Sequence, residues 1–416
     1  MSTARFPSPT RPITNEGPFR ALLLENIHPS AEEMLAAEGF QVERTSSALK
    51  PEELAEKLRG VHLLGIRSKT TVPGAALAHA EELLAIGAFC IGTNQVELGA
   101  ANTHGIPVFN APFSNTRSVA EMVLAEVIVL TRQLFDRSRE VHAGQWRKVA
   151  TGSREVRGKT LGIIGYGHIG SQLGVLSEAL GMRVLYYDVM TKLPLGNAQS
   201  VATLDALLAQ SDFVTLHVPA LASTHLMIGA DQLARMKKGA CLINASRGTV
   251  VDIPALARAL ASKHLGGAAV DVYPEEPESN SDGFVTELQG LPNVVLTPHI
   301  GGSTEEAQAS IGKEVATSLM KYFKTGATTG AVNFPQVETP LIPGTHRILN
   351  VHRNIPGVLR DINRIVSDLN ANIHAQVLST DNNIGYLVMD LDQDVSRPVC
   401  DAIAGLTTDI KTRIVS

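Results

Sequence analysis

The sequence predicts an α/β protein with three parts. These are a doubly wound, Rossmann-type dinucleotide unit, a second parallel α/β unit, and a small ferredoxin-like module at the C-terminus. Three observations carry this reading. A short apolar run, Leu161 to Ile164, leads into Gly165-Tyr-Gly-His-Ile-Gly170 and then a helix-like stretch. Strand-like apolar runs alternate with helix-like ones through most of the chain, as in a parallel sheet covered on both faces. Beyond Asn333-Phe-Pro335 the order becomes β-α-β-β-α-β.

In the first part, Arg20 to Glu25 reads as a strand and Ser30 to Glu38 as an amphipathic helix. Val61 to Lys69, Leu83 to Gly92 and Ile106 to Asn110 are further strand regions, and none carries a phosphate-binding glycine loop. Ser118 to Phe135 reads as one long helix, apolar nearly all round and therefore buried or facing a partner. The dinucleotide unit follows. Phe213 to Pro219, Ala240 to Ala245 and Ala268 to Val272 each read as a strand ending at a polar loop, where ligands of open α/β sheets bind. Pro335, Pro340, Pro343 and Gly344 mark a linker. In the tail, Arg347 to Val351, Asn372 to Leu378, Tyr386 to Leu391 and Ile410 to Val415 read as strands. Gly357 to Leu369 and Val395 to Leu406 read as helices. The tail holds no cluster of catalytic groups, so it is expected to bind rather than react.

A chain of 416 residues accommodates two or three domains. Its net charge is −5 with both signs interspersed, which excludes the basic stripe of a nucleic-acid binder. No apolar run is long enough to cross a bilayer. Cys90, Cys241 and Cys400 are far apart and lack metal-ligand spacing; they read as small buried hydrophobes in a reducing compartment, the cytoplasm. Met1 to Arg20 contains four prolines, three arginines and one acid. Residues 1–19 are expected to form a disordered tail, and the prolines argue against an amphipathic transit peptide.

The glycine motif has a physical task at each position. Gly165 allows a tight turn, Gly167 lets the backbone approach a pyrophosphate, and Gly170 lets helix and strand pack closely. Tyr166, His168 and Ile169 complete the loop, whose helix N-terminus offers free N–H groups to phosphate oxygens. Arg183 to Tyr187 is the next strand and ends on Asp188, the position of the acid that holds a ribose diol. A carboxylate there repels a 2′-phosphate, so NAD is favoured over NADP.

Three polar residues stand at later strand ends: Arg247 in Asn244-Ala-Ser-Arg-Gly-Thr, Glu276 in Tyr273-Pro-Glu-Glu-Pro277, and His299 in Thr297-Pro-His-Ile-Gly-Gly302. Hydride transfer from an alcohol needs a group that takes the hydroxyl proton, and a His near neutrality suits that task. It also needs a cation for the substrate carboxylate, which the Arg fork matches bidentately. Glu276 is the acid that would orient His299, with Glu275 the decoy beside it. Spacing alone does not bring the three together.

These segments resemble the D-isomer-specific 2-hydroxyacid dehydrogenases, in which Arg, Glu and His in these motifs form the catalytic set. Gly65-Ile-Arg-Ser-Lys-Thr, Ile91-Gly-Thr-Asn-Gln-Val, Asn110 to Glu121 and Asn333-Phe-Pro resemble a member that acts on 3-phosphoglycerate and opens serine biosynthesis. The resemblance implies a flavodoxin-like substrate domain (20–114 and 302–343) with the NAD-binding domain (115–301) inserted in it. It also implies a regulatory ACT domain (344–416) and a homo-oligomer, a tetramer. Arg67, Ser68 and Lys69 would meet the substrate phosphate, and Asn115 would lie beside the substrate. Lys148, next to the only tryptophan, Trp146, would reach a neighbouring subunit's site. His217, Ala245, Ser246, Asp271, Gly301 and Gly302 would join Arg247 and His299 around the cofactor. In the tail, His352, Asn354 and Asn372 would hold L-serine as effector. Lys69 stands where a second Arg is usual, and Pro343-Gly344 where a Gly-Gly hinge is usual. Two alternatives stay open: a reductase for another 2-oxo acid such as 2-oxoglutarate, and a non-catalytic NAD-sensing corepressor. The intact Arg, Glu and His set argues for the enzyme.

Overall fold

A computed structural model describes residues 17–277 and 283–415; most of the expected N-terminal tail lies outside them. The chain divides into two compact units, one running to Ser114 and resuming at Gln308, the other spanning Asn115–Ala307.

The first unit carries strands β1 (Arg20–Leu23), β2 (Gln41–Arg44), β3 (Leu63–Ile66), β4 (Ala85–Ala88) and β5 (Val108–Asn110). They are parallel in the order β2-β1-β3-β4-β5, the flavodoxin-like order the resemblance implies. Strands β3 and β4 are buried along their whole length, as the apolar runs require of a sheet covered on both faces. The sequence reading overlooked the helix Glu305–Thr325, which places Ile311, Val315 and Leu319 in the core of this unit.

The second unit contains β6 (Thr160–Ile164), β7 (Arg183–Tyr187), β8 (Gln199–Ser200), β9 (Phe213–Leu216), β10 (Cys241–Asn244), β11 (Gly267–Val270) and β12 (Val294–Leu296). The order β12-β11-β10-β9-β6-β7-β8, all parallel, is the doubly wound pattern. Its switch point lies between β6 and β9, where such sheets bind ligands. Local signals place the helices. Thr203 accepts from Ala206 N (3.1 Å) and Asp252 from Ala255 N (2.9 Å), each satisfying an orphan donor of a first turn. The long helix expected over Ser118 to Phe135 is instead two helices, Thr116–Arg132 and Leu134–His142. The break is Gln133, which sits in the left-handed region at φ 54°. The first helix buries Val119, Val123, Val127 and Leu130, whereas the second buries no residue. The apolar Leu134-Phe135 after the polar Thr131-Arg-Gln133 made the two helices read as one.

The last strands, β13 (Thr345–Arg353), β14 (Ile373–Thr380), β15 (Ile384–Asp392) and β16 (Asp409–Val415), form an antiparallel sheet in the order β14-β15-β13-β16. Ile348, Leu387 and Met389 pack against helices Val358–Asp368 and Ser396–Ala404 through Ile362, Val366, Val399 and Ile403. Leu349, Val351, Tyr386 and Val388 join the core of the first unit beside Tyr322 and Phe334.

The expected linker is therefore pinned rather than loose. Arg347 and Asp390, each 1% exposed, pair through Nε–Oδ1 at 2.7 Å and Nη2–Oδ2 at 2.8 Å. The remaining guanidinium donors reach the carbonyls of Thr325, Thr339 and Pro340. Tyr386 Oη donates to Gly326 O, Arg413 to the carbonyls of Tyr322 and Phe323, and Lys411 Nζ to Leu83 O. Asn333 Oδ1 accepts from Val108 N at 2.8 Å. Arg347, Lys411 and Arg413 sit on strands where cations ordinarily face water; only the docked sheet buries them.

Candidate active site

Within the second unit, β6 delivers the chain into the glycine loop. Gly165 has φ +91°, and a β-carbon there would collide with His217 O, so only glycine makes this turn. The helix His168–Ala179 begins three residues earlier than the sequence suggested, directly after Gly167. A β-carbon at Gly167 would meet no atom within 4 Å, so the side of the loop on which it would lie is open. Gly170 packs against Gly165 O and Ile163, as close helix–strand packing requires. Asp188 accepts from Tyr166 N (2.9 Å) and Met190 N (2.8 Å), which orients its carboxylate at the end of β7. A tight glycine turn at a helix N-terminus and an acid fixed at the next strand end are the features a dinucleotide cradle requires.

The three strand-end residues come together. His299 Nδ1 and Glu276 Oε2 are 2.7 Å apart, and Glu276 Oε1 accepts from Tyr273 N at 3.1 Å. The bond to Glu276 raises the imidazole above its ordinary value; burial opposes this, the charges of Glu276 and Asp271 add to it, and Arg247 counteracts it. Burial pushes the Glu276 carboxyl up, but the hydrogen bonds from His299 and Tyr273 N, with the charges of His299 and Arg247, bring it below the usual range. Arg247 thus stands close enough to act on both. Its Nη1 donates to Ser246 O (2.7 Å), and its loop is tied by Asn244 Nδ2 to Arg247 O (3.0 Å) and by Ser246 to Asn244 Oδ1. Ala245 is half-buried in the same loop.

Three features of this constellation escaped the sequence reading, which placed Asp271 around the cofactor and not at the base of the His299 loop. Gly248 lies so close to the Tyr273–Pro274 backbone that a β-carbon would overlap it, and this lets the Arg247 and Glu276 loops touch. Asp271 is buried and is the hub of the His299 loop. Its Oδ1 accepts from Thr297 Oγ1 (2.6 Å) and Ile300 N (2.8 Å), and its Oδ2 from Gly301 N (2.8 Å). Those bonds flank His299, which lies at φ +55°, a region uncommon for non-glycine residues. Beneath Asp271, the carboxyl of Glu126 is buried with neither oxygen hydrogen-bonded, and burial followed by the Asp271 charge pushes it up to about 8. An acid on an apolar helix carries no sequence signal of such a site.

The other predicted residues fall as follows. Asn115 caps the helix Thr116–Arg132 and packs against Gly302, with its Oδ1 buried and unbonded. His217 Nε2 meets Thr215 Oγ1 at 3.1 Å, its Nδ1 is buried without a partner, and burial pushes the imidazole down to about 4. Lys148 and Trp146 are exposed, Trp146 at 84%. Arg67, Ser68 and Lys69 follow β3 in the first unit, Arg67 half-buried and the others exposed. In the tail, Asn354 and Asn372 are exposed, whereas His352 is buried with Nδ1 on Asn350 Oδ1 (2.7 Å). Burial pushes that imidazole down to about 4.

A cradle for a dinucleotide beside an Arg, Glu and His cluster defines an NAD-dependent dehydrogenase of 2-hydroxy acids. Residues 124–301 match the NAD-binding domain of the D-isomer specific 2-hydroxyacid dehydrogenases, and residues 348–407 match an ACT domain like that of the AHAS small subunit. The chain belongs to the D-isomer specific 2-hydroxyacid dehydrogenase family. It is 55% identical to the D-3-phosphoglycerate dehydrogenase of Dictyostelium discoideum, over 95% of this chain and 97% of that one. It is 53% identical to the D-3-phosphoglycerate dehydrogenase of Escherichia coli K12, with the same coverage. Among solved structures, the NAD-complexed D-isomer specific 2-hydroxyacid dehydrogenase of Lactobacillus delbrueckii ssp. bulgaricus superposes with a TM-score of 0.67 at 27% identity. That match covers 75% of this chain and all of the other.

Proposed function

We propose that the protein oxidises D-3-phosphoglycerate to 3-phosphohydroxypyruvate with NAD, the first step of L-serine biosynthesis, in the cytoplasm. The observation that carries this is the His299–Glu276 pair beside Arg247, at the strand ends of a dinucleotide unit, in a chain similar along nearly its whole length to D-3-phosphoglycerate dehydrogenases. The domains follow the residues 20–114 with 302–343 for substrate, 115–301 for NAD and 344–416 for regulation.

NAD, when bound, supplies the hydride acceptor. Gly165 to Gly170 hold its pyrophosphate and Asp188 its ribose, with His217, Ala245, Ser246, Asp271, Gly301 and Gly302 around the remainder. His299 acts through Nε2, because Nδ1 is held by Glu276. Nε2 takes the C2 hydroxyl proton, and Glu276 stabilises the imidazolium that forms. Arg247 holds the substrate carboxylate and draws charge onto the forming carbonyl oxygen. Asn115 orients the substrate, and Arg67, Ser68 and Lys69 hold its phosphate. The exposed Trp146 and Lys148 serve a neighbouring subunit of a homotetramer. L-serine binds at a site shared between two ACT domains paired edge to edge, since within one sheet His352 and Asn354 lie at the Arg353–Ile384 end and Asn372 at the opposite, Ile373–Leu391 end; it lowers turnover by favouring one conformational state.

Steady-state assays with NAD over 2-hydroxy acids with and without phosphate, repeated with L-serine, test the proposal. Turnover should be greatest with D-3-phosphoglycerate and fall with millimolar serine without competition. A preference for an unphosphorylated acid would sink the substrate assignment, and indifference to serine the regulatory one. The pH profile tests the proton step. The base works when neutral, so oxidation should fall as pH drops through an imidazole pKa above the ordinary 6.5. In Glu276→Gln, the loss of the raising carboxylate should move that limb to lower pH. An unmoved limb would remove Glu276 from the mechanism.

A further inference from the structure

The loop Arg67–Lys69 is held from behind by a residue that no motif singles out. Glu25 follows β1 and lies in the left-handed region at φ 61°, as does Asn26 at φ 53°. The backbone there is tied by Glu25 N to Ser47 O (3.2 Å) and Asn26 N to Thr45 O (3.1 Å). The turn buries the Glu25 side chain to 8% exposure and aims its carboxylate at the backbone of the neighbouring strand end. Oε1 accepts from Arg67 N (3.1 Å) and Thr70 N (2.8 Å), and Oε2 from Lys69 N (2.9 Å). From the other side, Gln95 Nε2 donates to Arg67 O at 2.6 Å.

This arrangement resolves a conflict of charges. A carboxylate so near two cations would ordinarily pair with a guanidinium or ammonium group and cancel it. Here both oxygens are taken by main-chain N–H groups, so the negative charge fixes the backbone. The Arg67 and Lys69 side chains make no hydrogen bond or ion pair with the described residues. We propose that Glu25, with Gln95, is a positioning residue for the substrate phosphate: it clamps the backbone of Arg67 to Thr70 so that Arg67, Ser68 and Lys69 are presented together to a dianion. The inference rests on reading that loop as the phosphate site. A dianion is best held by donors fixed beforehand, since a flexible loop must be ordered when the ligand binds. Lys69, a point charge on a flexible stem, depends on such fixing more than a second Arg would.

The test is steady-state kinetics of the full-length enzyme with D-3-phosphoglycerate and NAD, for Glu25→Ala, Glu25→Gln, Gln95→Ala and, as a control, Arg67→Ala. Glu25→Ala should raise KM for D-3-phosphoglycerate by roughly 10- to 100-fold, the scale of a misplaced binding group. Its kcat and KM for NAD should change little. Glu25→Gln keeps one acceptor oxygen and should recover part of the loss, and Gln95→Ala should raise the same KM by less. An unchanged KM for the phosphorylated substrate in folded Glu25→Ala, or an equal rise in KM for NAD, would overturn the proposal. If Glu25→Ala does not fold, Glu25→Gln and Gln95→Ala decide: two unchanged KM values overturn it. If Arg67→Ala itself leaves KM unchanged, the phosphate assignment fails; if only the Glu25 and Gln95 variants do so, the clamp alone fails.

Discussion

Replacing His299 with Ala should lower turnover by about 10²–10⁴-fold, the usual contribution of a positioned general base. NAD should still bind, because the glycine loop and Asp188 hold the dinucleotide cradle through bonds that do not involve the imidazole. The fold should persist as well. His299 is exposed, and the bonds that shape its loop run from Asp271 to Thr297, Ile300 and Gly301. NADH fluorescence titration and turnover measured on one sample separate the two effects. Near-normal turnover would remove the proton-transfer role, and lost NAD binding would show that the substitution had disturbed the cradle.

The second large effect concerns stability. Arg347→Ala leaves Asp390 as a buried, unpaired carboxylate and strips the carbonyls of Thr325, Thr339 and Pro340 of their donor. Breaking a buried pair from one side costs about 3–5 kcal/mol. Chemical denaturation should register that loss, and limited proteolysis should find new cleavage between residues 335 and 344. Replacing both partners, Arg347→Met with Asp390→Leu, should restore much of the pair's share, since two apolar groups leave no stranded charge. A single variant as stable as the parent would mean that the sheet's apolar face alone holds it on the first unit.

This pair also illustrates where sequence reading ends. Cations on strands ordinarily face water, and Pro335 to Gly344 reads only as a linker. Burial of the guanidinium depends on the helix Glu305–Thr325 ending where Thr325 O can receive it, and on the linker turning Thr339 O and Pro340 O toward it. Period and composition report on neighbours along the chain, and they carry no record of which distant surface a strand will meet.

Elements and motifs of short range were legible because their causes are local. β7 is found at the residues the pattern marks, Arg183–Tyr187, since alternating a strand with glycine and an acid is a statement about adjacent residues. The glycine loop, Asp188 and the strand-end positions of Arg247, Glu276 and His299 follow from turn chemistry and the rule that ligands meet carboxyl ends of strands. The sequence alone therefore determined the α/β class, the dinucleotide cradle and the residue types of the site. Tertiary structure alone decided the break at Gln133, the left-handed turn at His299 built on Asp271, the unpaired carboxyl of Glu126 and the Glu25 clamp. Each of these exists only because segments remote in sequence are packed together, so that burial, a close backbone approach or a shared hydrogen bond gives a residue a role its own neighbours do not encode.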